Sequence, residues 1–204
     1  LEIPRYAKKG CIALLLFSFF IAGNSLYGQS ADYPHKRQHD FFHSHDDELD
    51  SIQRLWFGEG SMQGPRRFTD ARLKKMVFAY HPYWVGGVYL NYEWDLLSDL
   101  CYFSYEVDPY SGHPLTTHDF LSSAAVDSAR ANGVRVHLCV TLFEQHEAFF
   151  NNPQSGQTLV DELDGYIEAS EASGINIDFE AVPSYLGTAM NDYIVLLSDS
   201  LHAR

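Results

Sequence analysis

Four short apolar runs, separated by longer amphipathic stretches, constrain the fold of this chain most strongly. Each run is too short for a typical helix and is rich in β-branched or aromatic residues, which favours strands. Alternation of such runs with helical stretches predicts βα units that build a parallel sheet, and therefore an α/β fold. The predicted strands comprise residues 76–80, 100–105, 134–140 and 175–179.

Two of the stretches between the strands, and the stretch after the last strand, have the composition or periodicity of helices. In the second of them, Leu159, Leu163 and Ile167 recur at intervals of four residues and give one apolar face. Asn132 and Gly133 stop the first stretch before the next strand. The predicted helices comprise residues 117–131, 157–170 and 184–202.

The number of these units bears on the architecture. A (β/α)8 TIM barrel typically needs about 250 residues, more than the 204 of this chain. We therefore expect about the first four βα units of such a barrel in residues 74–204, with an open sheet as the alternative. Because the sequence starts with Leu1 and Arg204 closes an unfinished helical pattern, we expect a fragment of a longer protein that is inactive by itself.

Residues 1–28 have the pattern of a secretory signal peptide. Arg5, Lys8 and Lys9 precede an uncharged apolar run over residues 11–22. That run is shorter than the roughly 20 residues that span a bilayer, so an uncleaved membrane anchor is the less favoured alternative. We expect a secreted, periplasmic or cell-surface protein that has no membrane partner after cleavage.

Residues 29–73 are polar and are predicted to form a linker. The segment holds four histidines next to acidic residues, and a metal site is the alternative interpretation. Nothing apolar is spaced to hold those ligands in fixed geometry, which favours a solvated linker. The residues concerned are His35, His39, His43, His45, Asp46, Asp47 and Glu48.

The net charge of the chain indicates which classes of binding partner are compatible with its surface. With 27 acidic against 14 basic residues, the formal net charge of −13 argues against nucleic acid and anionic membrane surfaces. A neutral partner fits better, and an aromatic content of 15% suits stacking against sugar rings.

The last predicted strand carries the most informative motif. Asn176, Asp178 and Glu180 occupy every second position, so their side chains share one face, roughly 6–7 Å apart. A strand covered by helices would not leave such a face simply in water. Two carboxylates there are costly unless they are hydrogen-bonded, protonated or used in chemistry.

This stretch resembles the fourth-strand signature of glycoside hydrolase family 18, the chitinase family, which is written D-G-x-D-x-D-x-E. The chain matches the signature at Gly174, Asp178 and Glu180, and departs from it at Ser173 and Asn176.

Weaker similarity extends the resemblance to about residues 74–204. Residues 77–84 are similar to the first strand of the family with its aromatic exit, and residues 100–107 to the second strand. In the third strand, residues 140–143 replace the usual S-x-G-G.

The resemblance implies a chemistry. Glu180 would be the general acid, and the acetamido oxygen of the substrate itself would attack the anomeric carbon. Asp178 would orient that acetamido group, while Asn176 would hydrogen-bond to Asp178 and remove one negative charge from the cluster.

The resemblance implies no cofactor and no metal. His146 and Glu147 look like a metal pair but have no third ligand, and are predicted to be surface loop.

Aromatic and acidic residues at the ends of the first two strands are candidates for binding sugar. In a TIM barrel these ends form the rim where ligands bind, although packing is the competing role for each residue. The candidates are Tyr80, Tyr83, Trp84, Tyr105 and Glu106.

Together these features predict a secreted glycosidase that hydrolyses β-1,4 bonds in N-acetylglucosamine-containing polymers, chitin or peptidoglycan, with retention. A catalytically silent glycan-binding barrel is the first alternative, and an unrelated α/β protein with a coincidental motif is the second. Cys101 and Cys139 are expected to be buried thiols, although an exported compartment permits a disulfide between them.

Overall fold

The computed structural model of the chain describes residues 34–45 and 75–203. The predicted signal peptide and most of the predicted linker, including its acidic residues 46–48, lie outside this range. Among the residues described, no helix combines the length and apolar character needed to cross a bilayer.

The described fold is mixed α/β, with one sheet at its centre. Four strands run parallel in the order β1-β2-β4-β5, and the short β3 pairs antiparallel with β2. The four parallel strands are those predicted from the apolar runs, whereas β3 is too short to give a sequence signal. The strands are β1 (Phe78–Pro82), β2 (Asp99–Val107), β3 (Pro114–Thr116), β4 (Arg135–Leu142) and β5 (Gly174–Phe179).

Helices connect the successive parallel strands, with one exception. The connection from β1 to β2 consists of 3₁₀ segments at Tyr83–Asn91 and Trp94–Leu96 instead of an α-helix. Shorter 3₁₀ segments occupy Phe120–Ser122 and Ser184–Leu186. The α-helices are α1 (Pro34–His43), α2 (Ala124–Ala131), α3 (His146–Phe150), α4 (Pro153–Ser170) and α5 (Gly187–His202).

Local backbone chemistry explains where two helices begin. The helix predicted from residue 117 starts only at Ala124, because His118 and Asp119 have φ of 46° and 58°, outside the right-handed helical region. Helix α4 begins earlier than predicted. The Asn152 side chain accepts the backbone N–H of Gln154 at 3.2 Å, and a proline occupies the first turn, where its missing N–H costs nothing.

The sheet has apolar side chains on both faces. The helix side forms the main core, where Leu100, Leu138, Leu159 and Leu163 are fully buried; each such side chain contributes about 1.5–3 kcal/mol of burial free energy. The opposite face has a smaller cluster, formed by Phe42, Trp84, Cys101, Phe103 and Cys139.

Cys101 and Cys139 are free thiols, both buried in the smaller cluster. The permitted disulfide between them is not formed. Burial and the neighbouring Cys101 raise the pKa of the Cys139 thiol well above its ordinary value, so this side chain is a packing group and not a nucleophile.

Part of the predicted linker is an ordered helix. Helix α1 falls within residues 29–73, yet His39 and Phe42 are buried, at 8% and 3% exposure. Their partners are distant in the sequence: Trp84 after β1 contacts Phe42, while Glu106 of β2 and Phe143 after β4 contact His39. The order therefore arises from tertiary contacts that the local composition does not reveal.

Candidate active site

Strand β5 presents alternate side chains to the two faces of the sheet. Ile177 and Phe179 pack against the helix-side core, so Asp178 lies on the opposite face. The backbone N–H of Glu180 donates to the Leu142 carbonyl at 3.1 Å, which continues the ladder past the end of β5. Carboxylate oxygens of Asp178 and Glu180 lie within 4.8 Å of each other, so the structure brings this predicted pair together.

The first turn of α1 lies directly on these two carboxylates. Nδ1 of His35 is 3.0 Å from Oδ2 of Asp178 and 3.1 Å from Oε1 of Glu180. The backbone N–H of Lys36 donates to Oε2 of Glu180 at 3.3 Å. The side chains of Asp178 and Glu180 are only 17% and 13% exposed, because α1 covers them.

Burial and charge shift the proton affinities of this group. Burial, together with the charge of Asp178, raises the pKa of Glu180, although the Lys36 N–H and His35 oppose the shift. The hydrogen bond to Asp178 raises the pKa of His35 against the opposing effect of burial, and the charge of Glu180 adds to it. A carboxyl with a raised pKa holds its proton closer to neutral pH, which suits a general acid.

The raised pKa of His35 predicts a pH-dependent contribution to stability. This contribution is fully present below the ordinary pKa of 6.5 and is lost as the pH rises through the raised folded-state value. We expect His35→Gln to lower the free energy of unfolding more at about pH 6 than at about pH 9. Urea unfolding of both proteins at the two pH values measures this, and an equal loss at both would contradict it.

Asn176 has different partners from those predicted. The Tyr80 hydroxyl donates to its Oδ1 at 3.0 Å, and the Cys139 thiol lies 3.6 Å away. In the part of the chain that is described, the Asn176 side chain does not bond to Asp178. The physical reason is register: Cys139 on β4 lies directly opposite Asn176, whereas same-face neighbours along one strand are roughly 6–7 Å apart. Tyr80 thus lies beside Asn176 and bonds to it; its sugar-binding role stays a prediction.

A change of register in β2 separates two candidate rim residues. The pairing with β4 shifts between Phe103 and Tyr105, which leaves Ser104 without an opposite residue. Such an extra residue reverses the alternation beyond it. Tyr105 is therefore fully buried on the helix side, where its hydroxyl donates to the Gly112 carbonyl at 3.0 Å. Its predicted rim position is wrong, whereas Glu106 faces the site.

Glu106 bridges two histidines. Oε1 of Glu106 lies 2.7 Å from Nε2 of His39 on α1 and also contacts Nε2 of His118, which follows β3. Burial raises the pKa of Glu106, but the hydrogen bonds from His118 and His39 outweigh that effect and hold the pKa at about 2. The pKa of His39 is raised by Glu106 against the larger single effect of burial.

The aromatic residues after β1 are packed, not open. Trp84 is only 4% exposed, and its ring stacks on Phe42 of α1 with centroids 5.0 Å apart and planes 12° apart. An exposed sugar platform at Trp84 is therefore not what the structure shows, since α1 covers that ring. Tyr83 is half-buried and stacks on His118 at 3.5 Å.

His146 and Glu147 are not a surface loop. His146 begins α3 and is buried, with Nε2 3.2 Å from the Leu142 carbonyl. Glu147 is exposed and accepts a hydrogen bond from Tyr185. His146 is thus a packed histidine that bonds to the backbone next to the site.

Three histidines that lie at this site were not predicted to be site residues. His35 and His39 fall within the predicted linker. In α1, His35, His39 and His43 recur every four residues and therefore share one helical face, but a polar face alone does not predict a packed helix. His118 has no sequence signal, because the turn after β3 brings it to Glu106.

Comparison with known proteins supports the fold. No protein-family model and no curated protein matches the chain. Solved structures do, over 62–63% of the chain: a chitinase from Bacteroides thetaiotaomicron (12% identity, TM-score 0.51), the spore cortex-lytic enzyme SleL from Bacillus megaterium (15%, 0.54) and the chitinase RmChi1 from Rhizomucor miehei (20%, 0.50). The chain spans 42%, 32% and 43% of these proteins. At such identities the likeness shows a shared glycosidase-like fold.

Proposed function

We propose that this chain is the N-terminal part of a glycoside hydrolase family 18-like TIM barrel that cleaves β-1,4 bonds beside N-acetylglucosamine. One observation carries the proposal: Asp178 and Glu180 converge on one face at the carboxyl end of β5, the end at which barrels of this type bind ligands. The fold shared with chitinases and a cortex-lytic enzyme supports it.

The proposed mechanism predicts retention of configuration. The acetamido oxygen displaces the leaving group and water then displaces the acetamido oxygen, so two displacements at the anomeric carbon restore its configuration. Oxygens of Asp178 and Glu180 lie within 4.8 Å of each other, so one bound sugar can reach both. Attack by a group on the substrate itself, as the resemblance implies, is compatible with this geometry.

The reaction then follows in two steps. The Glu180 carboxylic acid protonates the glycosidic oxygen as its bond to the anomeric carbon breaks, and the acetamido oxygen of the sugar forms a bond to that carbon. Asp178 accepts the acetamido N–H and stabilises the positive charge of the cyclic intermediate. Water next attacks the anomeric carbon and gives a proton to the Glu180 carboxylate, which reopens the acetamido group and restores the acid.

Helix α1 must leave before substrate can bind. His35 occupies the hydrogen-bonding positions on Asp178 and Glu180, and Phe42 covers the ring of Trp84. A bound sugar would need the same groups that α1 covers: the carboxyl pair for catalysis and the ring of Trp84 for stacking. The structure therefore represents a covered state of the proposed site, and the open state exposes both.

Asn176→Asp tests the electrostatics of the cluster. The carboxylate can still accept the Tyr80 hydroxyl, so the geometry is kept, but the added negative charge raises the pKa of Glu180. We expect the alkaline limb of the pH–rate profile to move upward by roughly 0.5–1 unit. Measurement of kcat/KM against pH on the full-length protein checks this, and an unmoved limb would reject the assigned role of Asn176.

The direct test of the function is product release from N-acetylglucosamine oligomers by the full-length protein. Hydrolysis supports the enzyme. Binding of the oligomers without release would support the glycan-binding alternative instead, and neither binding nor release would refute both. We also propose export, because of the apolar run at residues 11–22; the amino terminus of the mature protein tests it.

A further inference from the structure

Two histidines and one glutamate converge from three separate segments beside the proposed active site. His39 lies on α1, Glu106 near the end of β2, and His118 in the turn that follows β3. One ligand atom from each lies within 4.8 Å of the others, and Oε1 of Glu106 contacts Nε2 of both histidines. Their side chains are only 10–13% exposed.

This set of donors matches one class of ion. Two imidazole nitrogens and one carboxylate oxygen are ligands of Zn²⁺ and its neighbours, whereas Ca²⁺ and Mg²⁺ prefer oxygen throughout. Zn²⁺ bonds of about 2.0–2.2 Å place neighbouring ligand atoms about 3.3 Å apart. Nε2 of His39 lies 2.7 Å from Oε1 of Glu106, and Nε2 of His118 also contacts that oxygen, so binding of the ion requires the Glu106 carboxylate to move away from the two rings.

The surroundings fix the two rings. His118 lies flat on Tyr83, with ring centroids 3.5 Å apart and planes 3° apart. His39 packs against His43 at 5.6 Å and Phe143 at 5.4 Å, and its Nδ1 is 3.4 Å from Oδ1 of Asp40. Rings held by packing, with a carboxylate behind one of them, are the usual support of metal-binding histidines.

We propose that His39, Glu106 and His118 bind a divalent transition-metal ion of the zinc class, and that this ion fastens α1 to the sheet. Because one ligand is on α1 and two are on the strand side, the ion binds all three only when α1 is docked. The inference goes beyond the proposed hydrolysis and does not depend on it.

A second trio lies next to this one and has a different composition. His35, Asp178 and Glu180 also bring their ligand atoms within 4.8 Å of each other, but they offer one imidazole and two carboxylates. Because these carboxylates belong to the proposed catalytic pair, we do not assign them a metal. A variant of His35 is therefore a control: it shows whether an added ion binds to this second trio and not to His39, Glu106 and His118.

Titration of the chelator-treated full-length protein with ZnCl₂ and CoCl₂ tests the site. Calorimetry should give one Zn²⁺ per chain, and Co²⁺ should give visible absorption bands of a low-coordinate complex. Glu106→Gln and His118→Asn should each weaken Zn²⁺ binding at least 10–100-fold. His35→Asn should retain it, as should His113→Asn, which alters an exposed histidine paired with Glu162.

Circular dichroism of each variant establishes that it is folded, and two independent ligand variants guard against the failure of one. As a second measurement, Zn²⁺ should protect α1 from proteolysis in the unaltered protein and in His113→Asn, but not in His118→Asn. The proposal is overturned if Zn²⁺ does not bind at micromolar concentration, if both ligand variants bind it as tightly as the unaltered protein, or if His35→Asn removes the binding.

Discussion

Glu180→Gln lowers kcat on N-acetylglucosamine oligomers by about 10²–10⁴-fold, the usual contribution of a general acid. Gln has nearly the same shape as Glu and can still meet the Lys36 N–H that Glu180 now accepts. It cannot supply a proton to the leaving oxygen, so catalysis is lost while oligomer binding remains. Initial rates and oligomer affinity of the full-length protein, measured in parallel, separate the two effects.

The matched control is Glu168→Gln, which makes the same chemical change at an exposed position on α4. This variant should keep its full activity. If Glu180→Gln retained more than about a tenth of the activity, or if both variants lost activity equally, Glu180 would not be the acid.

Phe42→Ala activates the same reaction by loosening α1. Phe42 is 3% exposed and stacks on Trp84, and truncation of a buried phenylalanine typically costs about 3–5 kcal/mol. If only about a third of this free energy is lost from the docking of α1, the ratio of open to covered protein rises about ten-fold. The apparent affinity for substrate rises by the same factor, because substrate binds only the open form. We expect KM to fall about ten-fold with little change in kcat.

Phe41→Ala is the control for this effect, because Phe41 is the neighbouring residue on α1 and is 41% exposed. Its KM should remain close to that of the unaltered protein. An unchanged KM in Phe42→Ala would mean that α1 does not limit access, and a lower kcat would mean that Phe42 supports the active conformation.

The features that the sequence predicted correctly are those that depend on the pattern of neighbouring residues. The alternation in residues 175–180 predicted which face carries Asp178 and Glu180, and the apolar runs predicted all four parallel strands. Both follow from the two-residue period of a strand and from the covering of parallel sheets by helices. The raised pKa of Glu180 also agrees with its burial beside a second carboxylate.

The features that escaped prediction depend on contacts between distant segments. The shift at Ser104, which buries Tyr105 and turns Glu106 to the site, is set by the pairing of β2 with β4. Helix α1 is ordered by the carboxylates and Trp84 that it meets, and its own sequence is polar. A local pattern cannot show either, because the partner lies up to 144 residues away along the chain.

The anomeric configuration of the first product tests the account most directly. ¹H NMR of a fresh digest of N-acetylglucosamine oligomers by the full-length protein distinguishes the β-anomer from the α-anomer before mutarotation mixes them. In the proposed mechanism two successive displacements, first by the acetamido oxygen and then by water, restore the configuration of the anomeric carbon, so the β-anomer should appear first. If the α-anomer appears first, water attacks directly, and the assigned roles of Asp178 and Glu180 are wrong.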